Sequence, residues 1–305
     1  IPFSGAINQT IQGVGESQGI IEWLYKTTID ASEALPLLLF IGIGAMIDFG
    51  PLLSNPKMLL FGAAAQFGIF ATIALATLLG FDLADAASIG IIGAADGPTS
   101  ILVSQVLHSN YVGPIAVAAY SYMALVPIIQ PFAIKLVTTK KERAIKMEYK
   151  PNEVSRFMKI SFPILVTIIA GFIAPMSVSL VGFLMFGNLI RECCRLDRLS
   201  ETAQNVLANL ITLLLGITIS FSMRAEQFVN TLMIMGLGLV AFVFDSMAGV
   251  LFAKLLNIFC KEKFNPMIGA AGISAFPMSS RVIAKMAKEE DPSNYLLMHA
   301  VGANV

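Results

Sequence analysis

The sequence predicts an all-α polytopic membrane protein, an inverted-topology repeat with two broken or re-entrant helical segments meeting near the midplane. Three observations lead there. The 305 residues are 56% apolar and only 13% charged, with a mean hydropathy of +0.77. A soluble domain carries about 25% charge, so too little remains here to coat a water-facing surface. No Lys or Arg occurs between Lys57 and Lys135, a stretch several times the ~20 residues of one span. And a short motif recurs: Ile92-Gly93-Ala94-Ala95 before Asp96-Gly97-Pro98, then Ile268-Gly269-Ala270-Ala271 before Gly272-Ile273-Ser274. Gly- and Pro-interrupted segments at matching places in two halves point to a midplane site.

The elements follow in order. Residues 1–33 read as an amino-terminal interfacial segment; with Glu16, Glu22 and Asp30 and no basic start, no secretory signal is expected in them. Residues 34–50 and 57–80 are two spans joined by the turn Pro51–Pro56. The run 84–106 is interrupted at Asp96-Gly97-Pro98, and 111–135 spans again. Together 34–135 form a first repeat. Seven of the twenty Lys and Arg lie within 140–159, which places that segment in the cytoplasm. Residues 160–190, with Pro175 at their middle, go out and return as a hairpin to the basic stretch 191–203, so 136–203 comprise cytoplasmic loops and an intervening hairpin. Spans at 204–222 and 228–258 open a second repeat, 204–305, which starts from the cytoplasm where the first starts from outside. Segments 81–83 and 224–227 then face outward. The last apolar run, 294–305, is shorter than a span, and the chain starts at Ile1, so a longer protein is expected.

Equal numbers of acidic and basic residues, 20 of each, create no net field for nucleic acid. Three cysteines, two of them adjacent (Cys193 and Cys194), give neither a disulfide framework nor zinc spacing. His108 and His299 have no ligand company in the sequence.

Asp96 is the strongest chemical signal. An unpaired intramembrane carboxylate must be protonated, bound to a cation or opened to water. Asp-Gly-Pro is also good chemistry for a helix cap, and a cap and a cation site can coexist where unwound carbonyls supply further oxygens. In the second repeat Asn265, Ser274, Ser279 and Ser280 offer the neutral oxygens that suit Na+, close helix packing being the alternative reading of the last two serines. Arg281 either snorkels to the interface or presents its fork to a carboxylate or ureido group. Tyr122 needs a hydrogen-bond partner in lipid. Asp245 reads as a structural hydrogen bond or as a transport residue.

The runs Gly93–Ser100, Gly187–Cys193, Gly269–Ser279, Glu290–Asn294 and Met298–Val305 resemble the membrane β subunit of the biotin-dependent, sodium-pumping decarboxylases that act on oxaloacetate, methylmalonyl-CoA and glutaconyl-CoA. The resemblance implies decarboxylation of carboxybiotin carried on a partner subunit, with consumption of a proton and export of Na+. It implies that Asp96 alternates between Na+ and a proton, and that Asn265, Gly269 and Ser274 add Na+ ligands. Tyr122 and Ser274 would serve a second cation site or proton route, and Arg281 would lie near carboxybiotin. It further implies carboxyltransferase and biotin-carrier subunits, a small membrane subunit, trimers and an inner-membrane location. The competing reading is a Na+-coupled secondary transporter of small anions with no decarboxylase activity, since fold alone does not fix function.

Overall fold

The computed structural model describes residues 9–11, 15–17, 19–147, 154–193, 195–219, 228–260 and 263–304. The expected outward turn at 224–227 lies outside them. The fold is helical, with one addition that the sequence does not announce: strands β1 (Gln9–Ile11) and β2 (Gly15–Ser17) pair as an antiparallel ribbon.

In chain order the helices are α1 (Ile20–Tyr25), α2 (Ala34–Met46), α3 (Gly50–Ser54), α4 (Leu59–Ala65), α5 (Phe67–Leu78), α6 (Leu83–Gly90), α7 (Gly97–Val106), α8 (Val112–Val137) and α9 (Lys140–Arg143). There follow α10 (Arg156–Ile173), α11 (Val178–Glu192), α12 (Asp197–Glu201), α13 (Ala208–Ile219), α14 (Phe228–Phe259), α15 (Met278–Glu290) and α16 (Leu297–Asn304). Among the described residues five helical stretches are long and apolar enough to cross a membrane: Pro56–Leu78, Val112–Val137, Arg156–Ile173, Asp197–Ile219 and Asn230–Phe259. This is a multi-pass membrane protein.

The span expected at 34–50 is shorter than that. Helix α2 stops at Met46, because Ile47 turns extended and Asp48 accepts the Gly50 amide at 2.9 Å, setting Pro51 into the start of α3. Its 13 residues reach only about 20 Å. Joined to the helical stretch Ile20–Ile29 across a 68° bend, it meets the length of a span. The hairpin expected around Pro175 is present as α10 and α11, joined by a 3-10 turn at Pro175–Ser177.

The chain divides into two compact units. The first comprises 1–47 and 156–228. Its centre is the packing of α2 on α11 and α13, where backbones approach as they do between membrane helices with small residues at the contact. A side chain on Gly44 would strike the Leu184 carbonyl, and one on Gly187 would strike that of Ile41. The carbonyls at the end of α2 are satisfied from α11: Asn188 donates to Ile47 at 2.9 Å and Arg191 to Met46 at 2.7 Å. Gly187→Val should therefore cost about 1–3 kcal/mol by overpacking. The readout is the melting temperature of the detergent-purified protein, and an unchanged melt would mean that the two helices part freely.

The second unit comprises 48–155 and 229–305. At one end its charged residues tie segments together. Arg143 pairs with Glu290 at 2.7 Å, Lys146 with Asp291 at 3.0 Å, and Lys254 with Glu142 at 2.9 Å. Hydrogen bonds from Ser293, with Lys146 beyond them, hold the Asp291 carboxyl down to about 2. At the start of α6, Asp82 caps the helix through the Asp85 amide, and Asp85 accepts from Ser109 at 2.6 Å and the Asn110 amide at 2.9 Å. Between these polar groups lie the two interrupted helices.

Candidate functional site

The first interruption is made by residues that cannot continue a helix together. Helix α6 tightens into a 3-10 turn at Ile91–Ala94, Ala95 adopts a left-handed conformation with φ 52°, and Asp96 is extended. Pro98 lacks an amide and starts α7 comfortably. Asp96 is the N-cap of α7: Oδ1 accepts the Thr99 amide at 3.5 Å, Oδ2 accepts the Thr99 hydroxyl, and its carbonyl accepts the Ser100 hydroxyl at 2.7 Å. The cap is real, and it leaves the charge uncompensated. Among the described residues no Lys or Arg pairs with Asp96.

The second interruption follows α14. Asn257 exchanges two 2.7 Å hydrogen bonds with Phe264, closing the connection to Asn265. Asn265 is fully buried and caps a 3-10 stretch, Pro266–Gly272. Its Oδ1 accepts the Met267 amide at 3.1 Å, while Nδ2 donates to the carbonyls of Arg143 at 2.7 Å and Ile145 at 2.8 Å. Gly269 lies backbone to backbone against Gly249 of α14, and any side chain on either would strike the other's carbonyl. Gln130 of α8 donates to Ala270 at 2.8 Å and to the Ser279 hydroxyl, which itself donates to Ala270 at 3.1 Å. Asn304 of α16 donates to Ala271 at 3.0 Å and Ile273 at 2.6 Å.

Helices α8 and α14 carry both interruptions. On α14, Gly238 packs against Ile92, Ala241 and Asp245 against Gly93, and Gly249 against Gly269. The eight residue steps from Ala241 to Gly249 measure about 12 Å of helix. The sequence-selected residues thus form two groups along a shared pair of helices. Asp96, whose hydrogen-bond partners Thr99 and Ser100 lie within its own cap, belongs to the first. Asn265 and Gly269 belong to the second, with their side-chain and backbone contacts made within the fold. Ser274 is exposed. Tyr122 sits in the apolar cluster with Ile92, Ile115 and Leu237, its hydroxyl donating to the Met235 carbonyl. Arg281 is exposed on α15 and lines an open groove of about 450 Å³ with Lys285, Lys288, Glu289 and Leu297. Ser280 donates to the Pro277 carbonyl at 2.9 Å.

Three residues at the interruptions escape sequence reasoning: Gln130, Asn304 and Tyr120, whose ring lies on Gly97. An amide within 111–134, a stretch with no charged residue, is a signal for Gln130; Asn304 and Tyr120 carry none without the fold. Asp245 is fully buried, accepts the Ile69 amide at 3.1 Å through Oδ1, and presses both carboxylate oxygens on glycines, Oδ1 on Gly68 and Oδ2 on Gly93. Its structural hydrogen bond is therefore present.

A lone carboxylate, side-chain amides, hydroxyls and unwound carbonyls are hard oxygen donors, suited to alkali and proton traffic rather than to soft metals. Fold and site together describe a polytopic membrane protein with hard oxygen donors gathered at two discontinuous helices. A profile of the Na+-transporting oxaloacetate decarboxylase beta subunit matches residues 1–305. The chain is 53% identical over 293 residues to the methylmalonyl-CoA decarboxylase subunit beta of Propionigenium modestum, covering 95% of this chain and 73% of that one. It is 48% identical over 309 residues to the oxaloacetate decarboxylase beta chain of Klebsiella pneumoniae (99% and 71%), and 51% identical over 275 residues to the glutaconyl-CoA decarboxylase subunit beta of Acidaminococcus fermentans (90% and 73%). The chain belongs to the family of Na+-transporting decarboxylase β subunits, components of multi-subunit decarboxylase complexes. Nothing in these likenesses favours a free-standing anion carrier.

Proposed function

We propose that this subunit decarboxylates carboxybiotin presented by a partner biotin-carrier subunit, consumes a proton, and exports Na+ across the inner membrane. The observation that carries the reading is Asp96: a carboxylate at a helix break, capped by Thr99, with no cation paired to it among the described residues. Such a group holds Na+ or a proton but not both. Breaking the C–N bond of carboxybiotin needs a proton at the ureido nitrogen as CO₂ leaves, which is general-acid chemistry. Moving one charge against 100 mV requires about 2.3 kcal/mol, a load one exergonic decarboxylation can bear.

In this reading Asp96 alternates between the two cations. The second break supplies neutral oxygens through Asn265, the backbone at Gly269 and, from its exposed position, Ser274. Tyr122 lines the proton or second-cation route. Arg281, with Lys285 and Lys288 on the same groove, attracts the anionic carboxybiotin and offers it a planar fork. The repeats 34–135 and 204–305, flanking the segments 1–33 and 136–203, would rock against each other to give alternating access. The working complex would hold carboxyltransferase, biotin-carrier and small membrane subunits, as a trimer of the pair of membrane subunits in lipid.

The test is the purified complex in liposomes, with decarboxylation and ²²Na+ uptake followed together, and with cysteines at Thr138 and Asp82 labelled in the same vesicles. Coupled uptake, and labelling from opposite faces, are expected. Decarboxylation without Na+ movement would refute the coupling, and labelling from one face would refute the inverted arrangement.

A further inference from the structure

Two tyrosines stand two positions apart on α8, and at about 100° per residue they face nearly opposite sides of the helix. The hydroxyl of Tyr122 is already engaged by the Met235 carbonyl. That of Tyr120 is buried and has no hydrogen-bond partner. Its position is set by a glycine. A Cβ built on Gly97 would lie 2.7 Å from Tyr120 Cζ and 2.8 Å from each Cε, so the hydroxyl-bearing end of the ring rests on the first residue of α7. Gly97 directly follows Asp96, and the phenol stands within electrostatic reach of the Asp96 carboxylate.

A buried hydroxyl without a partner is costly in a folded protein. Phenylalanine would fill the same space without that cost. The oxygen is best accounted for by a ligand that the carboxylate also contacts. Na+ requires several hard oxygens; at this break the Asp96 carboxylate and the Thr99 hydroxyl are bonded to each other, and the Tyr120 phenol, over Gly97, is a neutral side-chain oxygen with no bond of its own.

We propose that the hydroxyl oxygen of Tyr120 completes the coordination of the Na+ held at Asp96. The proposal rests on the reading of Asp96 as the Na+ site and adds a residue to it. Gly97 is then required for its lack of a side chain, since a methyl group there would lift the ring from the site.

The experiment is equilibrium Na+ binding to the purified complex for wild type, Tyr120→Phe and Asp96→Asn, with melting temperatures taken in Na+-free buffer. Tyr120→Phe should weaken Na+ binding by about tenfold or more while melting at or above the wild-type temperature, because the deleted hydroxyl bonded to nothing in the protein. A merely structural hydroxyl gives the opposite pattern, a lower melt with Na+ affinity unchanged, and that overturns the proposal. Wild-type Na+ affinity in Tyr120→Phe together with lost binding in Asp96→Asn also overturns it, and leaves Asp96 standing as the site. Wild-type affinity in Asp96→Asn removes the Asp96 reading itself and Tyr120 with it.

Discussion

Asp96→Asn should abolish Na+-dependent turnover while the protein still folds and inserts. The amide keeps an oxygen for the Thr99 amide, so the cap on α7 survives in outline. What disappears is the formal charge that caps α7 at the first break. Removing one member of a desolvated ion contact costs about 3–5 kcal/mol, which is a factor above about 100 in Na+ affinity. No concentration of Na+ short of that factor should rescue turnover. The measurement is Na+-dependent decarboxylation by the complex, beside a melting curve. An Asp96→Asn variant that turns over normally would reduce Asp96 to its cap.

The second large effect concerns protons. If one carboxylate serves both cations, acidification should weaken Na+ binding, approaching about tenfold per pH unit once the proton dominates, and added Na+ should carry the acid limb of the activity profile to lower pH. Linkage demands that both shifts come from one coupling free energy. Arg281→Lys should leave this competition intact and impair carboxybiotin turnover instead. An ammonium keeps the charge but loses the planar fork, and Arg281 lies exposed on α15, on the groove of Lys285 and Lys288.

What the sequence disclosed follows from the range over which its signals act. The hairpin of α10 and α11 was legible because Pro175 lies between two basic segments, and the break at Asp96 because Asp-Gly-Pro is local chemistry. The repeated Ile-Gly-Ala-Ala motif likewise located the second break at Pro266–Gly272. The rest depends on distant partners. Gln130 reaches Ala270 and Asn304 reaches Ala271, contacts that no periodicity encodes. Tyr120 and Tyr122 are equivalent in sequence, and only the approach of Gly97 and the Met235 carbonyl tells them apart. The hydroxyl of Ser274 fits a donor set on paper, yet the turn after Gly272 leaves it exposed. The early end of α2 depended on the Asp48 side chain reaching Gly50, a local capping preference too weak to outweigh an apolar run.

The account stands on one carboxylate shared by two cations, and equilibrium Na+ binding by the purified complex over about three pH units around neutrality tests it most directly. The account predicts that wild-type affinity falls as pH falls, that Arg281→Lys follows the same curve, and that Asp96→Asn binds weakly at every pH. A wild-type affinity that stays level across the range would contradict it, and would require the proton to enter by a route separate from Asp96.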